Sequence, residues 1–195
     1  MRVRTAAFAV LAFAASGQAA QAHDFIEGAG FLNGFLHPLL VPSHALSLLA
    51  FGLMTGQQPS RIFLAALFPV ALIGGILLII YAVFPIDLVP LVLLASGAWA
   101  GLLTALAQPL PRIVPALILI AGGLALIIDS VPSVVSKLDT LLALAGTVLT
   151  ATLTLGLAAW LASILTRDWQ RIGVRIVGSW TAASALLVLA LMIAR

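Results

Sequence analysis

His37 and His44, seven residues apart in an apolar run, are the side chains of this sequence best suited to chemistry. The stretch from Asn33 to Ser47 around them adds an asparagine, two serines and two prolines. Imidazole nitrogen is a ligand for nickel, copper, zinc and iron, and ionisable groups within an apolar span are functional by default. On a helix turning 100° per residue, Asn33, His37, His44 and Ser47 fall within an arc of about 80°, opposite Leu, Ala and Phe. A polar stripe facing lipid finds no water, so this one is expected to face protein or a wet cavity.

A straight helix would set the two imidazoles about 10.5 Å apart along its axis. One ion cannot bridge that gap, because ligand nitrogens sit about 2.0–2.1 Å from a metal such as zinc. Either the histidines mark successive positions on a path, or the helix is irregular between them. Pro38 and Pro42 favour irregularity: neither has an N–H, so the carbonyls of Gly34 and Pro38 lose their helical partners. Freed carbonyls at membrane depth occur where backbone lines a cavity, and their oxygens can help hold a cation.

Other residues would complete such a site. Asn33, one turn outward of His37, is placed to orient its ring, while Ser43 and Ser47 flank His44. Asp129, beside Ser130 and Pro132 at a helix end, is the best acidic candidate, although a solvated end suits it equally. Met54, near the same face, reads as a core filler. Thr147, Thr150 and Thr154 line one side of a later helix and read as interhelical glue rather than as lining. Trp169 reads as an interface anchor.

The elements that position these residues are membrane helices. The chain has 195 residues, 63% of them hydrophobic and only 8% charged, with mean hydropathy +1.25, and no soluble domain covers itself with so few charges. There is no cysteine, which removes thiolate metal sites and thiol catalysis. The few arginines form no cluster dense enough for nucleic acid. Apolar runs at 30–56, 62–84, 87–107, 113–129, 138–165 and 172–194 predict six spans. The run at 113–129 is the shortest and carries Pro115 and Gly122-Gly123. The fold class expected is therefore an all-α polytopic membrane protein, six transmembrane helices after a cleavable signal peptide.

That signal peptide is assigned to residues 1–22: a basic Met1–Arg4, an apolar Ala6–Ala15 too short to span, and Ala20-Gln21-Ala22 as the cleavage site. Residues 23–195 form the mature six-helix domain, with net charge lowered from +3 to +1 by the loss of Arg2 and Arg4. Cleavage makes His23 the first residue, where its α-amine and imidazole form a chelating pair with Asp24 and Glu27 close by; an ordinary mobile terminus is the alternative. With a periplasmic N-terminus, Arg61, Arg112, Arg167, Arg171 and Arg175 fall on the cytoplasmic side of a bacterial inner membrane, as the positive-inside rule requires.

The sequence resembles the HupE/UreJ family of membrane proteins, associated with nickel or cobalt uptake for hydrogenase and urease. The resemblance rests on the signal peptide, a His soon after it, Gly30-Phe31-x-x-Gly34-Phe35-x-His37-Pro38 with His44, the six-helix layout and the closing Trp169–Trp180 stretch. It covers essentially the whole mature chain. The family's first-helix pattern is His, five residues, then Asp-His; His37 and His44 match it, and Ser43 stands where the Asp would be. A second family motif, two His and a Glu on a later helix, has no counterpart around Gly122-Gly123. The resemblance implies a secondary permease for Ni2+ or Co2+, with the ion as cargo and no permanently bound cofactor. Its partners would be the lipid bilayer and metalloenzyme maturation proteins. The competing expectation is a non-transporting membrane accessory or scaffold for metalloenzyme assembly. No enzyme is expected, since no Ser-His or paired-carboxylate set stands at membrane depth. A haem site would need facing histidines, with only His23 besides the pair.

Overall fold

Pro42 decides where the first apolar run breaks. In the computed structural model, which describes residues 29–81, 88–132 and 136–194, this run forms two helices, α1 (Gly30–Leu40) and α2 (Pro42–Gln57). Val41 between them is extended, with φ −85° and ψ 112°. A proline disfavours helical backbone at the residue before it, yet suits the first turn of a new helix. The two axes differ by 72°. The single stripe drawn for a straight helix is thus corrected to two short helices meeting at an angle.

Five more helices follow: α3 (Arg61–Tyr81), α4 (Val89–Leu106), α5 (Ile113–Asp129), α6 (Lys137–Ile164) and α7 (Asp168–Ile193). No strand occurs among the described residues. By length and composition α3, α4, α6 and α7 can cross a membrane, and the bent α1–α2 pair makes a fifth span if counted as one. α5, the sixth run expected, has 17 residues; at 1.5 Å per residue it covers about 26 Å, short of a hydrocarbon core of about 30 Å. Outward faces are apolar, with Leu153, Leu157 and Trp160 of α6 and Trp180 and Leu187 of α7 all exposed. A multi-pass membrane protein has this surface, because lipid replaces water around it. The signal-peptide region, His23 and Asp24 lie outside the described residues.

α2 occupies the middle of the bundle and packs on all six other helices. Every residue from Ala50 to Gly56 is buried, the pattern of a helix enclosed on all sides. Met54 is fully buried among them as the filler expected. α1 lies against α6 at backbone contact: a side chain on Gly34 would strike the Ala143 backbone, and one on Gly146 that of Phe31 and Phe35. Thr147 donates its hydroxyl to the Gly34 carbonyl at 3.1 Å, the acceptor that Pro38 leaves without a helical N–H. Further along, Gly52 meets α6 at Leu155 and Ala158. The bent pair advances eighteen residues from Gly34 to Gly52 where α6 advances twelve to fifteen, from Ala143 to Leu155 and Ala158. The excess is taken up around the break at Val41, which stands between the two histidines.

The short connections after α2, α4 and α6 gather at one end of the bundle with Arg61, Arg112, Arg167, Arg171 and Arg175. At the opposite end the described charges are Asp129, Lys137 and Asp139.

Candidate metal site at the broken helix

The break turns a sequence separation into a contact. His37 ends α1 and His44 begins α2, and their ring centroids lie 5.0 Å apart with planes at 76°. The irregular helix, not the pair of successive positions, is the alternative the structure adopts. His44 is fully buried, and its Nε2 lies 2.8 Å from Oδ2 of Asp129, whose side chain keeps 26% exposure. The acidic candidate thus reaches the histidine from α5, 85 residues away.

The local chain fixes this carboxylate. α5 ends at Asp129 because Pro132 follows and cannot continue the helix. Ser130 turns its hydroxyl back to the Leu126 carbonyl at 2.7 Å, and its N–H bonds the Ile127 carbonyl at 3.3 Å. Asp129 is held at the rim of the last turn.

An ionised carboxylate only accepts, so a neutral His44 carries its proton on Nε2 and its lone pair on Nδ1. Nδ1 is buried and meets no hydrogen-bond partner among the described residues. A carboxylate that fixes the tautomer and orients the ring is the usual support of a metal-bound imidazole. The ring spacing also fits: with nitrogen–metal bonds of about 2.0–2.1 Å, two imidazoles on one tetrahedral ion place their centroids about 5 Å apart. Among the described residues, however, no three His, Cys, Asp or Glu side chains converge as a ligand group. Carbonyl, amide or water oxygens would have to complete the shell.

Of the other candidates, Asn33 stands one turn before His37 on α1 and is half-buried; Ser43 is half-buried in the first turn of α2. The carboxylate on His44 is Asp129, not residue 43. Ser47 is buried one turn beyond His44 and donates to the Leu93 carbonyl at 3.5 Å. Thr147 acts as glue, through its bond to Gly34.

Two features went unread in the sequence. The stripe of α2 does not stop at Ser47: His44, Ser47, Phe51 and Thr55, spaced 3, 4 and 4 residues, fall within about 80° of one another, Gln58 follows as the cap of the helix, and all five are buried. Its spacing was the available signal. At the arginine end a cavity of about 620 Å³ is lined by Gly56, Gln57, Arg61, Asp168, Arg171 and Arg175 among others. Arg175 donates from Nε to the Ala105 carbonyl at 2.8 Å. The cavity is built from connections remote in sequence, which leaves no local signature.

The model of the family described as HupE / UreJ protein matches residues 10–188, most of the chain. No curated protein matches, and no solved structure matches.

Proposed function

The chain belongs to the HupE / UreJ family, and from that premise we propose that it is a secondary permease carrying a divalent transition metal, nickel or cobalt, into the cell. The observation that carries this reading is the buried His44 imidazole, held by Asp129 at 2.8 Å with the His37 ring 5.0 Å away. A pair of imidazoles, one backed by a carboxylate, suits borderline divalent metals better than Mg2+ or Ca2+, which prefer all-oxygen shells. The family's link to nickel and cobalt accessory functions of hydrogenase and urease narrows the cargo.

In this reading α5 crosses as the sixth span, tolerated at its length by local thinning of the bilayer. The arginine end is cytoplasmic and the His–Asp end periplasmic, by the positive-inside rule. Residues 1–22 are removed on export. The sequence holds no nucleotide-binding motif, so an ion gradient or a partner protein supplies the drive. The protein moves an ion and transforms no substrate.

Purified protein in liposomes loaded with a nickel-quenched fluorophore tests this. Saturable quenching on adding NiCl2 is expected, reduced to the protein-free rate by His44→Ala. A second reading, a metal-delivery accessory, draws on the solid core between the site and the arginine-end cavity, where Leu48, Phe51 and Met54 are fully buried. It predicts nickel binding without any flux.

A further inference from the structure

Between the His–Asp site and the arginine-lined cavity, the buried stripe of α2 is polar except at one position. His44 and Ser47 lie on one side of Phe51, and Thr55 and Gln58 on the other. Polar groups are costly to bury inside a membrane helix bundle, and a core chosen only for packing has no use for three of them in register on one helix. Neighbouring helices add to the same seam. Ser96 of α4 and Gly122 of α5 close on it, for a side chain at Gly122 would meet Phe51 and lie 2.9 Å from Ser96 Oγ. Below the ring, the hydroxyl of Thr55 is fully buried and meets no hydrogen-bond partner among the described residues. Gln58, just past the end of α2, donates to the carbonyl of Gln108, a residue of the cavity wall, at 3.3 Å and accepts from the Leu110 N–H at 3.0 Å.

Phe51 itself is fully buried. Its ring occupies the slot left by the missing side chain of Gly122 and stacks obliquely on Phe68, with centroids 6.0 Å apart. We infer that the His44–Ser47–Thr55 stripe of α2, ending at Gln58, is the cation's route from the site to the cavity, and that Phe51, seated on Gly122, is its closed gate. The inference rests on the permease reading. A ring has only two side-chain torsions and leaves such a slot by rotation without moving the helix. When it swings out, the ion passes from imidazole to the hydroxyl oxygens of Ser47 and Thr55 and enters the cavity beside Gln58.

The chain has no cysteine, so one introduced thiol reports one position. Gln57→Cys, in the cavity wall, identifies the membrane face from which a small cationic methanethiosulfonate reagent enters. From that face, with Phe51 in place, the reagent is expected to label Gln57→Cys but not Ser47→Cys. Phe51→Ala raises labelling of Ser47→Cys by about tenfold or more, because a closed state leaves its open partner populated at only about 0.1–10%. Gln57→Cys labelling is unchanged. Gly122→Ala, whose methyl expels the ring from its slot, acts in the same direction and serves if Phe51→Ala does not fold. Ser47→Cys labelling that is equal with and without these changes overturns the gate. Nickel flux in the same vesicles separates the two claims: gated labelling without His44-dependent flux refutes the permease and keeps the gate, and the reverse result refutes the gate alone.

Discussion

Thr147 of α6 donates its hydroxyl to the Gly34 carbonyl of α1 at 3.1 Å. The bond answers a need created four residues on, where Pro38 has no N–H to offer that carbonyl. The break in the first span is therefore a supported feature. Gly34 and Gly146 bring the two backbones together so that the hydroxyl can reach.

Removing that support has a bounded cost. Thr147→Val keeps the shape and leaves the carbonyl unpaired, which costs about 1 kcal/mol in a helix bundle in lipid and lowers the unfolding midpoint by about 2–4 °C. Thermal unfolding in detergent measures it. An unchanged midpoint would mean the bond holds nothing.

Straightening the span is a sharper perturbation. Pro42→Ala frees Val41 to become helical and restores an N–H for the Pro38 carbonyl. The imidazoles then move toward the separation of about 10 Å set by a continuous helix, too far to share an ion. Nickel uptake is expected to vanish while the protein stays folded and monodisperse. Uptake at the parent rate would show that the 72° bend is irrelevant to transport.

The expectations from sequence succeeded where the physics is local. Five of the six apolar runs became single helices whose described ends lie within a few residues of those expected, since hydropathy over such lengths leaves little choice; the first became two, and four or five of the helical runs are long enough to span. Pro38 and Pro42 announced the break, because a missing N–H is legible one residue at a time. The direction of the bend was not legible, nor was the pairing of His44 with Asp129, which depends on how α2 and α5 pack across 85 residues. Ser43 shows the same limit: it occupies the place of the family's acid, while the carboxylate on His44 comes from another helix. The fit of Phe51 into the space beside Gly122 was equally illegible, since it joins residues 71 positions apart.

Asp129 is expected to act through His44, which it meets at 2.8 Å. Asp129→Ala removes the carboxylate that fixes the imidazole and weakens nickel affinity about 10–100-fold, read as a higher KM for uptake. Asp129→Asn keeps an acceptor oxygen for Nε2–H and falls between the two. Equal loss in both variants would place the effect in charge alone, and no loss in either would remove Asp129 from the site.

Export makes its own prediction. N-terminal sequencing of protein recovered from membranes is expected to begin at His23, after the Ala20-Gln21-Ala22 site. A chain that still begins at Met1 would refute cleavage and withdraw the terminal chelating pair with it.

His37 and His44 are expected to hold one ion together. Nickel titration of the purified protein by calorimetry, on the parent, both single His→Ala variants and the double, tests it most directly. With the terminal chelating pair removed throughout by His23→Ala, one ion per chain is predicted, lost in each single variant and no further in the double, as residues sharing one ligand behave non-additively. Two independent sites, or a single variant that binds nickel as the parent does, would contradict it.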